Sequence, residues 1–237
     1  IGQYDVAGDF GGTGWAFAYQ LGAIFQATPD FRVGVNFRSK SSVTFHGEVD
    51  FDLPANMPDY MTATASTLFV DGDIEASTEL PEALSISTQY NVSDTWTLLG
   101  DITWTKWSRF EELRIEFDDS RADIVQPEDW ENAWRYAIAL NYQWKPDWLL
   151  RTGFAIEQTP IPSAHLRTPR IPDDDRTWLT FGARKSFSET MSLDVAYGLV
   201  MAGTTDIDNE EEITGHTLSG EYDSIVHIAS AQVNWKF

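Results

Sequence analysis

The sequence predicts an all-β chain, an antiparallel transmembrane β-barrel wall, and three observations predict it. Segments of about ten residues recur in which every second residue is apolar, the period of a strand with two unlike faces. Their connections are alternately very short and very long. No apolar run in the 237 residues approaches the roughly 20 needed for a membrane-crossing helix.

Taken in order, the segments share one pattern. Trp15, Phe17, Tyr19, Leu21, Ala23 and Phe25 oppose Ala18, Gln20 and Gly22. Phe31, Val33, Val35 and Phe37 then oppose Arg32, Gly34, Asn36 and Arg38. A long segment from Gly72 to Val92 is interrupted at Pro81, which lacks a ladder donor and predicts a bulge or kink. Trp96, Leu98, Ile102 and Trp104 oppose Thr97, Asp101 and Thr103. The clearest segment places Trp134, Tyr136, Ile138, Leu140, Tyr142 and Trp144 against Ala133, Arg135, Ala137, Ala139, Asn141 and Gln143. Trp148, Leu150, Phe154 and Ile156 oppose Arg151, Gly153 and Glu157. Leu193, Val195, Tyr197, Leu199 and Met201 oppose Ser192, Asp194, Ala196 and Gly198. Finally, Ala229, Ala231, Val233, Trp235 and Phe237 oppose Ser230, Gln232, Asn234 and Lys236.

One face is large, apolar and edged with Trp and Tyr, and the other is small and polar. A soluble sandwich buries its apolar face against a second sheet. A barrel turns that face to lipid, keeps a polar lumen and sets aromatics at both interfaces. Ala27–Asp30, Ser93–Thr95, Lys145–Asp147 and Ser188–Thr190 are tight turns. Asp52–Val70, Asp118–Glu131, Thr159–Arg176 and Gly203–Glu221 are long polar loops. With the C-terminus on the periplasmic side, every short turn falls inside and every long loop outside, as in bacterial barrels.

Composition agrees. The net charge is −21, which argues against nucleic acid as a partner. The acid concentrates in the long loops, as at Asp173–Asp175 and Asp206–Glu212. Neither run has the ligand spacing of a calcium loop, so solvated loop tips are expected, with no metal site and no cofactor. There are no cysteines, hence no disulfides.

About nine strands are expected. An odd number closes only through a parallel pair, against the even antiparallel count of single-chain bacterial barrels. Open edges would expose backbone to lipid. Residues 1–237 are therefore expected to be the C-terminal portion of a barrel, with further strands ahead of Ile1. The last strand ends on Phe237, which is similar to the signal read by the outer-membrane assembly machinery.

Several motifs resemble one family. Gly8-Asp9-Phe10, with Gly12 and Gly14-Trp15, is similar to the Gly-Asp-Asp-x-Gly-x-Gly-Trp stretch of the FadL family of outer-membrane transporters. Phe10 stands where the pattern has its second Asp. Trp107-Ser108-Arg109-Phe110 resembles the family's Trp-Ser-x-Phe. Arg151-Thr152-Gly153, Thr159-Pro160-Ile161-Pro162 and Ile171-Pro172-Asp173-Asp174-Asp175-Arg176 with Trp178-Leu179 follow in the family's order.

The resemblance implies a monomeric Gram-negative outer-membrane barrel of about fourteen strands, its lumen plugged by an N-terminal hatch that is absent here. It implies passive uptake of hydrophobic molecules such as long-chain fatty acids, taken from the lipopolysaccharide side and released through the wall. Glu131 stands where the fatty-acid transporter has a lysine, which leaves neutral hydrophobics open beside carboxylates.

An apolar path needs an apolar wall with a few placed polar groups. Trp107, Phe110, Leu113, Ile161 and Leu166 are candidate apolar contacts. Arg135 and Arg151 are candidates for an anionic head group, with pairing to Asp101, Glu157 or Asp194 as the structural reading. Arg184 belongs with them. Asp173, Asp175 and Arg176 are expected to lock the outer loop. The alternatives are a diffusion pore for polar solutes and an outer-membrane barrel enzyme. No nucleophile motif accompanies His46, His165, His216 or His227, so catalysis is not expected.

Overall fold

The computed structural model describes residues 4, 6–210 and 216–236. Sixteen strands and one helix follow in chain order. They are β1 (Ala7–Trp15), β2 (Gln20–Thr28), β3 (Phe31–Arg38), β4 (Ser41–Asp52), α1 (Asp59–Leu68), β5 (Gly72–Leu80), β6 (Ala83–Asn91) and β7 (Trp96–Thr105). A 3-10 turn at Trp107–Arg109 precedes β8 (Glu112–Phe117) and β9 (Ile124–Pro127). Then come β10 (Ala133–Lys145), β11 (Trp148–Glu157), β12 (Arg176–Ser186), β13 (Met191–Ala202), β14 (Thr205–Glu210), β15 (Thr217–Tyr222) and β16 (Ile225–Trp235).

Nine strands form the main sheet in the order β16-β13-β12-β11-β10-β7-β6-β3-β2. Every pairing in it is antiparallel. The register keeps the expected faces together. Ile138 stands beside Phe154, Leu179 beside Leu199, and Ile102 beside both Ile86 and Tyr136. Among the described residues no second layer covers this face: Ile138 is 52% exposed and Phe181 is 55% exposed. An apolar face left open on so large a sheet belongs in hydrocarbon rather than water.

Aromatic side chains mark both margins of that face. Trp96 stacks on Tyr142 at 4.2 Å near the short turns, and Trp134 stacks on Tyr136 at 6.1 Å near the long loops. From Trp96 to Trp104 a strand tilted as in barrels climbs roughly 20 Å, close to the ~25 Å apolar band such walls present.

The short turns share a device that their sequences explain. At three of them a hydroxyl accepts the amide three residues on: Thr28 from Phe31 at 3.1 Å, Ser93 from Trp96 at 3.2 Å and Ser188 from Met191 at 3.1 Å. Such bonds hold the chain in a tight reversal and deny it further ladder.

The long connections are more structured than the sequence suggests. A second sheet, ordered β1-β4-β5-β8-β9, stands beyond the outer end of the main one. Its strands run on into β2, β3, β6, β7 and β10 across gaps at residues 16–19, 39–40, 81–82, 106–111 and 128–132. Pro81 sits in this break, as its missing donor predicts. The interruption is a line across five neighbouring strands rather than a local kink. Lys106 N–H still donates to Glu82 O at 3.0 Å, so the backbone is not abandoned there. Helix α1 lies in the Asp52–Val70 connection, and β14 pairs with β15 within the last long one.

One segment differs from expectation. Trp15 to Phe25 reads as one strand, yet Trp15 closes β1 opposite Thr44 while Leu21 pairs with Phe37 in the main sheet. Alternation does not show where a chain changes sheets. Phe237 and Glu211–Glu212 lie outside the described residues.

Candidate outer-rim recess

On the lumen side of the wall, at the level of the break, lies a recess of about 380 Å³. Its floor is ladder. Ala133 pairs with Thr105 and Arg135 with Thr103, so these side chains share the inner face, and Glu157 stands opposite Arg135 on β11. Its roof comes from two of the segments that interrupt the strands, through Trp107 and Trp130, and from the β11–β12 connection, through Pro160, Ile171 and Asp173, with Arg176 at the start of β12.

Three aromatic rings build the apolar side. Trp130 meets Trp107 with ring centres 5.0 Å apart and Phe110 with centres 4.9 Å apart, both edge to face. Trp130 is buried, and its indole N–H donates to Glu128 at 2.8 Å. Burial raises the Glu128 carboxyl above the usual carboxylate range, against the pull of that bond and of Arg170. Asp129, between them, has φ of 44°, a left-handed turn that Asp tolerates better than most side chains. That turn brings Trp130 back over the recess.

The polar side is a set of paired charges. Arg135 meets Asp101 at 3.3 Å. Arg176 contacts Asp173 closely and Glu157 at 3.8 Å, and Glu157 also accepts from the Trp178 indole at 3.1 Å. Asp173 accepts from the Thr159 hydroxyl at 3.0 Å and Asp175 from the Thr159 amide at 2.8 Å. Arg167, itself buried, donates to the Asp173 carbonyl at 2.9 Å. The two proline-containing motifs are thus bound to each other.

Of the residues singled out in the sequence, the structure brings Trp107 and Arg135 to the recess and Phe110 to its aromatic wall. Ile161 is buried in the loop above, 4% exposed, as a packing residue. Leu113 lies on β8 in the outer sheet and Leu166 in the loop, neither at the recess. Arg151 sits further down the inner face, where it and Arg184 both donate to Asp194, at 2.8 and 2.9 Å, and Asn234 donates at 2.8 Å. Sequence reasoning missed Trp130 and Glu128, and it read Ile171 only as part of a motif, not as a wall of the recess. A lone indole in an acidic stretch carries no periodicity, and only its ring partners reveal its role.

A wall with a lipid-turned apolar face, short turns on one side and folded loops on the other defines an outer-membrane β-barrel wall. The chain belongs to the outer membrane protein transport family OMPP1/FadL/TodX, whose model matches residues 3–237. It is 30% identical over 205 residues to a putative outer membrane protein of Neisseria meningitidis, covering 82% of this chain and 44% of that protein. It is 29% identical over 187 residues to the long-chain fatty acid transport protein of an Escherichia coli O6:H1 strain, covering 78% and 42%. The chain thus spans less than half the length of these relatives. In fold it resembles a Pseudomonas aeruginosa FadL homologue, with a TM-score of 0.82 at 23% identity over 91% of this chain and 51% of that one. It also resembles the Ralstonia pickettii toluene transporter TbuX, with a TM-score of 0.64 at 20% identity over 97% and 50%.

Proposed function

We propose that this chain is the C-terminal part of a barrel that passes hydrophobic molecules through the outer membrane without a catalytic step. The observation that carries this is the recess itself. It is a concave site at the outer end of the lumen face, half aromatic and half paired charge, where a molecule arriving from the loops would leave water. Trp107, Phe110 and Trp130 supply apolar surface. Arg135, paired with a single carboxylate, Asp101, at 3.3 Å, is the group best placed to meet a carboxylate head. Leu113, Ile161, Leu166 and Arg151 support the site from a distance by packing or pairing.

The relatives named for long-chain fatty acid transport and the fold neighbour named for toluene support this substrate class. An enzyme is a poorer reading. His46 faces Glu75 at 3.1 Å, His165 binds the Asp208 carbonyl at 2.9 Å, and His227 meets the Tyr197 hydroxyl at 2.6 Å. Each of these imidazoles is thereby explained as a contact within the outer sheet, a loop or the interface. The hatch and early strands expected ahead of Ile1, the monomeric state, contact with lipopolysaccharide and delivery by the assembly machinery belong to the same proposal.

The test is uptake. A deletion strain carrying the full-length gene should recover entry of a labelled long-chain fatty acid or of a monoaromatic hydrocarbon. Unchanged entry of both would remove the transport reading. Large steady conductance in a planar bilayer would instead favour a diffusion pore.

A further inference from the structure

The chain has five lysines, and three of them, Lys145, Lys185 and Lys236, lie at the end of the wall that carries the short turns. Two of these three are aimed by the fold. Along β10 the odd-numbered residues face the lumen, so unbroken alternation would send Lys145 inward. A register shift between Gln143 and Lys145 makes Trp144 and Lys145 together oppose Trp148, where one residue would normally stand. Such a bulge redirects the side chain that follows it. Lys145 emerges on the apolar face, its ammonium 4.5 Å from the Trp144 ring centre.

The next two strands complete the arrangement. Lys145 pairs with Trp148, and Trp148 pairs with Lys185, so the three stand abreast on β10, β11 and β12. The Lys185 ammonium lies 5.1 Å from the Trp148 ring centre, and the rings of Trp144 and Trp148 meet edge to face at 6.2 Å. Asp147 in the turn is bound by Lys185. Among the described residues Lys145 is in no ion pair. The cluster therefore keeps one net positive charge at the polar edge of a lipid-facing wall, in a chain whose overall charge is −21.

We propose that Lys145 and Lys185, with Trp144 and Trp148, form a binding site for the phosphate of an inner-leaflet glycerophospholipid. The indoles sit at head-group depth and the acyl chains lie along Leu150, Phe181 and Ala183 above. The choice of leaflet rests on the reading of the short turns as periplasmic. The chemistry is a phosphate monoanion between two ammonium groups held against rings, at an interface where water competes less than in bulk.

Native mass spectrometry of the purified barrel in mild detergent tests this, with palmitoyl-oleoyl phosphatidylglycerol, the matching diacylglycerol and lipid A as probes. The wild type should retain phosphatidylglycerol over diacylglycerol. Retention should fall about fivefold for each lysine lost in K145Q and K185Q, survive in K145R/K185R and be unchanged in K40Q. Equal retention of phosphatidylglycerol and diacylglycerol overturns the proposal, as does an undiminished K145Q/K185Q double variant. Lysine-dependent retention of lipid A in place of phosphatidylglycerol overturns it too, by assigning the site to the other leaflet.

Discussion

Trp107 and Trp130 meet edge to face, 5.0 Å between ring centres, although one follows β7 and the other precedes β10. The pair closes the outer end of the lumen face above two adjacent strands. Its position makes it the apolar half of the recess rather than a lipid anchor. Removing the Trp107 ring is expected to cost about 1.5 kcal/mol of apolar contact with a bound substrate, which is roughly tenfold in affinity. Binding of a fluorescent fatty acid to Trp107→Ala checks this, with the wall's heat-modifiable gel mobility unchanged.

Arg135 and Arg151 both project from the inner face, but their surroundings separate them. Arg151 shares Asp194 with Arg184 and Asn234, whereas Arg135 has Asp101 at 3.3 Å and borders the recess. Arg135→Gln is expected to weaken binding of a fatty acid more than that of its methyl ester. Arg151→Gln should treat the two alike. Competition of each ligand against a fluorescent fatty acid reads the difference.

Glu128 gives the recess a pH dependence of known sign. Its carboxyl is raised in the folded state, so the fold holds that proton more tightly than the unfolded chain does. Its contribution to stability is full below the ordinary carboxylate range and is lost as pH rises through the raised value. The outer loops should grow more labile to protease across that rise. In Glu128→Gln, which keeps an acceptor for Trp130, the change should disappear.

Glu82 has the opposite sign. The Arg109 guanidinium, with Lys106 at 3.6 Å, holds its carboxyl down to about 2. Its stabilising effect is present above the ordinary glutamate value and lost as pH falls towards 2. The pair spans the strand break, from the Pro81 gap to the turn after β7. Thermal unfolding measured down the acid limb should be flatter for Glu82→Gln than for the wild type.

The wall was legible because lipid on one side and water on the other force alternation onto each strand, as from Trp134 to Trp144. The Pro81 interruption was legible for an equally local reason, a missing donor. The outer sheet was not. Phe45, Val49 and Ile74 alternate as well, but glycine and acid dilute them, and nothing local says that five strands break at one level. At the recess, Trp107, Phe110 and Arg135 stood in readable motifs. Trp130 did not, because its role depends on a turn at Asp129 that swings it onto distant rings. Arg151 illustrates a choice the sequence left open: its type allowed a ligand contact or pairing with Asp101, Glu157 or Asp194, and the register selects Asp194, two strands away.

The lack of cysteine allows a direct measurement of which way each face looks. Single cysteines at Ile138, Leu140, Val195 and Leu199, and at Ala137, Ala139 and Ala196, are to be probed in intact outer membranes with a charged maleimide. The first four should resist the reagent and be quenched through an attached fluorophore by brominated lipid, while the last three should react. Ready aqueous labelling at Ile138 and Val195, with no response to brominated lipid, would contradict a wall turned to hydrocarbon.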